Sequence, residues 1–384
     1  MSKVIIFCAD GTWNGPDHDD DGDRQPDPTN VYKLFRHLAG ALAENSSLQA
    51  DEQEKELLGP AGLLQIGKYI HGVGDTKNII NKILGGAFGS GTIKRIVRGY
   101  TFISRNYEPG DDIVITGFSR GAYTARALAG LIVSQGVLAK KLTTDPEAAY
   151  RAGAQAWYRY RAASGKSAGF FDRLIEAMAD LPAFVSSNKL TDHDFVPVEK
   201  IKAVGVWDTV GALGVPLYID DARADTFRFA NNKLSAKIER GFHAVALDEQ
   251  REDFTPTLWD QANNVTEMLF PGAHADVGGG YTAKNGESGL SDIALDWMIK
   301  QLQTVGVAFR PDADPLFAPN PHGTAHRPWH CPPFNLVEKT SSRAFVKATG
   351  IQIHPAIGLR MDSPGVIHEP GTAAAPYKPG NLPK

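Results

Sequence analysis

The sequence predicts an α/β fold built on a doubly wound and mostly parallel β-sheet. Two patterns along the chain carry this prediction. Short apolar runs rich in β-branched residues indicate buried strands, and the amphipathic or alanine-rich segments between them indicate helices. Because parallel strands need crossover connections, this alternation is typical of a parallel sheet with helices on both faces.

The predicted elements follow one another in a regular order. Strands are expected at residues 4–9, 68–72, 113–117, 200–207, 242–247 and 265–270. Helices are expected at residues 31–43, 92–106, 122–135, 148–163, 170–179 and 290–302. Thr29 or Asn30 is expected to cap the first helix, because both side chains accept hydrogen bonds from the amides of a first turn.

The domain organisation follows from these elements. We interpret residues 140–195, which are mostly amphipathic helix between two strands, as a helical cap insertion. Residues 311–384 hold more than half of the 24 prolines, so they are expected to form an irregular tail packed on the core. Residues 1–384 are then one domain, in which we find no internal repeat.

Composition excludes several classes of protein. The 384 residues are 42% hydrophobic and 22% charged, unlike a disordered, collagen-like or coiled-coil chain. A net charge of −4 predicts no nucleic-acid partner and no polybasic lipid anchor. No apolar run reaches the roughly 18 residues of a membrane span, and residues 4–8 are too short for a signal-peptide core. We therefore expect a protein that is cytoplasmic as synthesised, with neither a signal peptide nor a transmembrane segment.

The best-defined unit of the sequence is a strand, a turn and a helix around Ser119. Gly117, Ser119 and Gly121 match the pattern G-x-S-x-G, with an apolar strand before it and an alanine-rich helix after it. Such a turn lifts a serine hydroxyl out of the sheet, and the flanking glycines let the strand and helix pass closely. Ser119 is thus predicted to be the nucleophile of an α/β-hydrolase-like fold; the alternative is a helix N-cap serine.

A serine nucleophile needs a histidine that takes its proton and a carboxylate that orients the histidine. In this type of fold the chain order is serine, acid, histidine. Asp208 directly follows a predicted strand, and His274 follows another in a Pro-Gly turn. We predict them as the acid and the base, although Asp208 could instead cap a helix and His274 could be a structural turn residue.

Other residues stay open as secondary candidates for the site. His243 and His354 are alternative bases, and Asp276 could orient a base or cap a helix. The oxyanion of the reaction needs two backbone amides. We expect one from Arg120 and one from the loop after the first strand.

That loop contains Asp10, Gly11 and Thr12. The amide of Gly11 or Thr12 is predicted to complete the oxyanion hole, and Asp10 is a further secondary candidate. The alternative interpretation of this Asp-Gly sequence is a simple turn.

Signals for a metal or cofactor are weak. Asp17, Asp19, Asp21 and Gly22 match the first half of an EF-hand calcium loop, but Pro28 replaces the glutamate at its twelfth position. A solvated acidic loop is the favoured interpretation and calcium the minor one, so no cofactor is predicted. A second set of residues has a spacing that would place zinc ligands together only if the segment were a helix. The glycine and prolines in this segment disfavour a helix. The members of this set are His322, His326, His330 and Cys331.

Seven ordered blocks of the chain resemble one known family. They are residues 9–14, 71–74, 117–126, 206–210, 243–251, 270–281 and 377–383. Together they are similar to the catalytic domain of type VI secretion phospholipase effectors of the G-x-S-x-G type. The resemblance implies an α/β-hydrolase fold, Ser119 as nucleophile and hydrolysis of phospholipid acyl esters. It also implies contact with a membrane surface, export by type VI secretion, a secretion-apparatus partner and an immunity protein.

The expected function is therefore hydrolysis of lipid esters by a serine, histidine and aspartate mechanism. Two alternatives remain: an esterase of small soluble esters or polyesters, and a binding module that keeps the fold without catalysis.

Overall fold

The structure of the protein is a computed structural model. It describes residues 2–11, 14–19, 22–44, 46, 52–72, 88–163, 190–210, 232–311, 317–332, 334–337, 339–346 and 350–383. The strands are β1 (Val4–Ala9), β2 (Ala41–Leu42), β3 (Glu52–Gly59), β4 (Gly62–Ile70), β5 (Asp112–Phe118), β6 (Val137–Leu138), β7 (Phe195–Val196), β8 (Ile201–Trp207), β9 (Ile238–Ala246), β10 (Val265–Phe270) and β11 (Gln352–Ile353). The helices are α1 (Asn30–His37), α2 (Phe88–Asn106), α3 (Arg120–Gln135), α4 (Pro146–Ala163), α5 (His274–Gly278), α6 (Gly289–Thr304), α7 (Phe334–Val337) and α8 (Pro355–Asp362).

A nine-stranded sheet forms the centre of the molecule. Its strand order is β11-β10-β9-β8-β5-β1-β4-β3-β2. All pairs from β11 to β4 are parallel, and only the two pairs that join β4 to β3 and β3 to β2 are antiparallel. The predicted mostly parallel α/β sheet is confirmed.

Alternating side chains of each strand enter two hydrophobic cores, one on each face of the sheet. Ile5 and Phe7 of β1 pack with α2, α3 and α4, whereas Ile6 and Cys8 of the same strand pack with α1 and α6. This period of two is the reason why the central strands are apolar along their whole length. The fold is therefore doubly wound, as the sequence predicts.

The carboxyl ends of the parallel strands meet at one edge of the sheet. From β1 the chain continues to β4 on one side and then to β5 on the other. Such a reversal opens a crevice at the ends of the strands, where α/β proteins bind their ligands. The residues after β1, β5, β8 and β10 are consequently neighbours at this edge.

The structure differs from the sequence predictions at the far side of the sheet. α1 ends at His37, six residues early, because Leu38 has extended dihedrals and the chain enters β2. The strand predicted at residues 68–72 begins at Gly62 and forms a hairpin with β3, which the sequence did not predict. The helix predicted at residues 170–179 lies outside the described residues, and the cap assignment of residues 140–195 stays a prediction.

The C-terminal segment adds a third, smaller core. Apolar side chains of this segment, among them Phe345, Ile357 and Tyr377, pack against Val245 and Leu269 of β9 and β10. Within the described residues, no helix combines the length and the apolar character needed to cross a membrane.

Candidate active site

Ser119 occupies a strained turn between β5 and α3. Its φ of +57° and ψ of −121° lie in a region that residues with a side chain rarely adopt, at a cost of about 1–3 kcal/mol. Its amide donates to the carbonyl oxygen of Trp207 at 3.1 Å, which ties the turn to the end of β8. A Cβ on Gly121 would lie only 2.1 Å from the carbonyl oxygen of Ala9, so glycine is required there. This is the geometry of a serine raised above the sheet edge.

Asp208 leaves the sheet beside this turn. Phe118 and Trp207 are register partners in β5 and β8, so Ser119 and Asp208, which follow them, are neighbours. Asp208 is completely buried and has a φ of +35°. Its Oδ1 accepts a hydrogen bond from the amide of Ala246 at 2.9 Å. The carboxylate is thereby anchored to the ends of two adjacent strands.

His274 begins α5, four residues after the end of β10. Its Nδ1 lies 2.6 Å from Oδ2 of Asp208, and its amide donates to Oε2 of Glu249 at 3.1 Å. The imidazole contacts the rings of Phe118 and Phe254, with centroids 4.5 and 5.0 Å away. The ring is therefore held by a carboxylate at one nitrogen and by aromatic rings at its sides.

The remaining nitrogen of His274 is the chemically available one. Within the described parts of the chain, neither Nε2 of His274 nor Oγ of Ser119 makes a hydrogen bond. Both side chains are nearly buried, at 6% and 8% exposure. Hydrogen bonds between a nucleophile and its base are often long without substrate and shorten when it binds.

The electrostatics of Asp208 and His274 favour a charged carboxylate and a neutral imidazole. Burial alone would raise the pKa of Asp208, but Arg343 and His274 together bring it well below its ordinary value. Burial lowers the pKa of His274, and this effect outweighs the hydrogen bond and charge of Asp208. At neutral pH the imidazole is thus unprotonated and able to accept a proton.

The loop after β1 lies against the serine turn. A Cβ on Gly11 would come within 3.4 Å of Cβ of Ser119. The Gly11 amide donates to Oδ1 of Asp10 at 2.7 Å in this structure. An oxyanion would have to compete with this carboxylate for the Gly11 amide, and the role of Gly11 as a donor stays a prediction. Thr12 lies outside the described residues and stays the other candidate donor of this loop.

Asp10 braces that loop and does not face the serine. Its carboxylate also accepts hydrogen bonds from the hydroxyls of Thr29 and Tyr69, at 2.8 and 2.7 Å. Burial raises the pKa of Asp10 above its ordinary value, although these hydrogen bonds act to lower it. Arg120, the other predicted oxyanion residue, is the first residue of α3, where helix amides point beyond the N-terminus.

The described hydrogen bonds of His243 and His354 go to groups other than Ser119. His243 is fully buried in β9, where its Nδ1 lies 2.8 Å from Glu267 and its Nε2 accepts the Thr209 amide at 3.1 Å. Nδ1 of His354 accepts the Ala356 amide at 3.2 Å and caps α8. Both rings thus carry structural hydrogen bonds.

Asp276 caps α5, which is one of the two roles expected for it, and the histidine that it contacts is His326. Its Oδ2 accepts the amide of Ala273, and its Oδ1 lies 2.6 Å from Nδ1 of His326. Nε2 of His326 faces Glu287 at 3.3 Å, and the ring stacks on Tyr281. Asp276 therefore joins α5 to the C-terminal segment.

No local sequence pattern indicates the residues that surround Asp208 and His274. Arg343 donates to both carboxylate oxygens of Asp208, at 2.7 and 2.9 Å. Glu249, which accepts the His274 amide, is held by Arg251 through two side-chain hydrogen bonds of 2.9 and 2.8 Å. The only available signal was that Glu249 and Arg251 lie in the block 243–251.

No metal site is formed by the part of the chain that the structure describes: it holds no cluster of three His, Cys, Asp or Glu side chains suited to an ion. Asp19 accepts amides of its own loop, from Gly22 and Arg24 at 2.8 and 2.9 Å. Asp21, one of the three predicted ligands with Asp17 and Asp19, lies outside the described residues. Calcium binding thus stays a minor prediction.

The proposed zinc residues have separate partners. His326 contacts Asp276 and Glu287, whereas His330 contacts Glu369 at 3.0 Å. The intervening chain forms a short turn instead of the helix that zinc ligation would require.

A mostly parallel sheet with a strained serine turn after β5, an aspartate after the adjacent strand β8 and a histidine after β10 defines a hydrolase-like α/β fold. Residues 3–301 match the family model described as type VI secretion system (T6SS), phospholipase effector Tle1-like, catalytic domain. The match covers most of the chain, which therefore belongs to this family. The resemblance read from the sequence blocks is confirmed.

Three similar proteins place the family match in context. The uncharacterized protein YEL023C of Saccharomyces cerevisiae is 29% identical over 259 residues, which are 66% of this chain and 32% of the yeast protein. The match thus spans about a third of that relative's length. A crystal structure of an uncharacterized protein from Pseudomonas aeruginosa has a TM-score of 0.49 and 18% identity, over 83% of this chain and 49% of that chain. A Tle1 effector bound to the VgrG spike of the type 6 secretion system has a TM-score of 0.45 and 15% identity, over 84% and 77% of the two chains.

Proposed function

We propose that the protein is a serine hydrolase that cleaves the acyl esters of phospholipids. Ser119 is the nucleophile, His274 the general base and then acid, and Asp208 the carboxylate that orients His274. The observation that carries the proposal is the bonding of His274. Its Nδ1 is engaged by Asp208, its Nε2 makes no hydrogen bond among the described residues, and Ser119 follows the strand adjacent to that of Asp208. Family membership supports the choice of phospholipids.

The first half-reaction transfers the acyl group to the protein. Nε2 of His274 takes the proton of Ser119 as Oγ attacks the carbonyl carbon of the ester. The tetrahedral oxyanion accepts hydrogen bonds from the amide of Arg120 and from that of Gly11 or Thr12; removal of one oxyanion-hole donor typically costs about 2.7–4 kcal/mol. When the C–O bond to the alcohol breaks, His274 gives its proton to the departing oxygen and an acyl-Ser119 ester remains.

The second half-reaction releases the fatty acid. His274, neutral again, removes a proton from water, and the hydroxide attacks the acyl carbon. The new tetrahedral intermediate collapses, Oγ regains a proton from His274, and the carboxylic acid leaves. In both halves the imidazolium is stabilised by the charge of Asp208 at 2.6 Å.

The family also supports the wider setting that we propose. As a T6SS effector domain, the protein is exported by that system, docks on a component of the apparatus and is inhibited in its host by an immunity protein. It contacts membranes transiently to reach its substrate. We propose no nucleic-acid partner, because the net charge of −4 offers no basic surface, and no cofactor.

Lipid-product mass spectrometry tests the proposal. Wild type, Ser119→Ala and the control Ser341→Ala, which changes an exposed serine of the C-terminal segment, are each incubated with phosphatidylethanolamine and phosphatidylglycerol vesicles. We expect wild type and the control to release fatty acid and lysophospholipid, and Ser119→Ala to lose at least about 10⁴-fold of this activity.

Other outcomes would contradict the proposal. Turnover of short p-nitrophenyl esters without vesicle hydrolysis would identify an esterase of small soluble esters or polyesters. No turnover of either substrate would indicate a binding module with the same fold. Full lipid hydrolysis by Ser119→Ala would remove Ser119 from the mechanism.

A further inference from the structure

Arg343 connects the C-terminal segment to the candidate active site. The residues just before Arg343 pair with the loop that follows β9: the amide of Ser341 donates to the carbonyl oxygen of Gln250 at 2.7 Å, and the amide of Glu252 donates to that of Lys339 at 3.0 Å. Arg343 itself is 8% exposed, and its guanidinium forms a two-pronged pair with Asp208. Paired, planar hydrogen bonds of this kind fix the orientation of a carboxylate as well as its charge.

The hydrogen bonds of Asp208 fill its acceptor sites. Oδ1 accepts from the Ala246 amide and from Nη1 of Arg343, at 2.9 and 2.7 Å. Oδ2 accepts from Nη2 of Arg343 and from Nδ1 of His274, at 2.9 and 2.6 Å. A carboxylate has about four such sites. With three of them taken by fixed donors, the fourth can only face His274.

Arg343 also ties together the surroundings of the imidazole. Its Nη1 donates to the carbonyl oxygen of Ala246 at 2.7 Å, and its Nη2 donates to the carbonyl oxygen of Phe254. The ring of Phe254 packs edge-on against His274. A single guanidinium therefore positions the acid and one of the rings that hold the base.

The charge of Arg343 acts on His274 through a shared oxygen. Nη2 of Arg343 and Nδ1 of His274 both bond to Oδ2 of Asp208, so protonation of the imidazole would bring a second cation beside the guanidinium. A second positive charge that shares this carboxylate oxygen disfavours the protonated form. The other charged groups that face His274 are Arg251, whose charge lowers the pKa of His274, and Glu249, which accepts the His274 amide and raises that pKa.

We propose that Arg343 is a positioning residue of the active site: its guanidinium fixes Asp208 toward His274 and keeps the imidazole unprotonated at lower pH. The inference rests on the proposed function of Ser119, His274 and Asp208. It assigns the C-terminal segment a part in the reaction, since removal of that segment would remove the guanidinium.

The test is the pH dependence of kcat and kcat/KM for a soluble ester, in wild type, Arg343→Ala and Arg343→Lys. In Arg343→Ala we expect kcat to fall and the acid limb of kcat/KM to move up by about one pH unit, while KM changes little because Arg343 lies behind Asp208. Added guanidinium ion should restore part of the rate. Arg343→Lys, which keeps the charge without the planar fork, should keep the acid limb near that of wild type but with a lower kcat.

Arg360→Ala is the matched control. Arg360 is likewise a buried arginine of the C-terminal segment, but it donates to the carbonyl oxygens of Pro321 and Gly323. The Arg360→Ala substitution should lower the thermal stability of the protein without moving the acid limb of kcat/KM. Added guanidinium ion should not raise the rate of this variant.

The outcomes separate this inference from the proposed function. If wild type is inactive on all esters, the proposed function fails. If wild type is active and Arg343→Ala keeps the wild-type acid limb without rescue by guanidinium, Arg343 is merely structural and the inference is wrong. Should Arg343→Ala not fold, an Arg343→Lys variant with unchanged kcat and pH profile would overturn it in the same way.

Discussion

Two buried histidines of this protein have almost the same carboxylate pairing and different surroundings. Nδ1 of His274 lies 2.6 Å from Asp208, and Nδ1 of His243 lies 2.8 Å from Glu267. Nε2 of His243 accepts the Thr209 amide at 3.1 Å, whereas Nε2 of His274 makes no hydrogen bond within the described residues. The pairing orients both rings, but only the second nitrogen decides whether a ring can accept a proton from a substrate or nucleophile.

Position relative to the strand ends explains this difference. His243 lies inside β9, three residues before its end, where the ring is fully buried and Trp259 packs edge-on against it. His274 lies beyond the end of β10, at the open edge where Ser119 turns. The same residue type is thus part of the core in one strand and part of a site just after another. A histidine and carboxylate pair is therefore insufficient evidence for catalysis.

The largest expected effect separates the two histidines directly. We predict that His274→Ala loses at least about 10⁴-fold in kcat, because a serine without its base is a poor nucleophile. His243→Ala should keep kcat within about tenfold but lose about 1–3 kcal/mol of unfolding free energy, since it leaves buried hydrogen-bonding groups of Glu267 and Thr209 unsatisfied. Steady-state kinetics and urea unfolding of both variants measure these effects.

The reverse pattern would contradict the comparison. A His274→Ala variant with near wild-type turnover, together with an inactive and well-folded His243→Ala variant, would make His243 the base.

The carboxylates extend the comparison with an expected effect no larger than that of the histidines. Asp208→Asn keeps the shape of the side chain but cannot hold the imidazole in the reactive tautomer, and we predict a loss of about 10⁴-fold in kcat. Glu267→Gln, the matched change beside His243, should alter kcat by less than about tenfold. Equal losses in the two variants, with stability unchanged, would show that the distinction between the pairs is wrong.

A third pair, His326 and Asp276, gives the smallest effect, on stability alone. Burial lowers the pKa of His326, but Asp276 and Glu287 outweigh it and raise that pKa above its ordinary value. The pair therefore contributes stability that is fully present below the unfolded pKa of about 6.5 and is lost as pH rises through the folded pKa.

Urea unfolding between pH 5.5 and 8.5 tests this contribution. The difference in unfolding free energy between wild type and His326→Gln should be largest at low pH and shrink as pH rises. His330→Gln, which changes a half-exposed histidine paired with Glu369, should show little effect at any pH. A difference for His326→Gln that grows with pH would contradict the assigned direction.

Sequence alone predicted those parts of the fold and site that depend on local pattern. The strand before Ser119, the glycine at position 121 and the places of Asp208 and His274 after strands follow from apolar runs and turn residues. The chain order of serine, acid and histidine then sufficed to bring the three residues to one edge, because parallel strands end together.

The missed features depend on tertiary contacts that no local pattern encodes. β3 contains four charged residues, and its pairing with β4 is set by the sheet, not by propensity. Arg343 lies 135 residues from Asp208 in a segment without periodicity. The Gly11 amide bonds to the carboxylate of Asp10, which the hydroxyls of Thr29 and Tyr69 hold in place from other segments of the chain.

Labelling with a fluorophosphonate tests the central claim most directly. The reagent reacts with a serine only where a base and an oxyanion hole activate it, so peptide mapping by mass spectrometry identifies the activated residue. We predict one adduct on Ser119 in wild type, none in Ser119→Ala and strongly slowed labelling in His274→Ala. An unlabelled wild-type protein, or an adduct on another residue that persists in Ser119→Ala, would contradict the account.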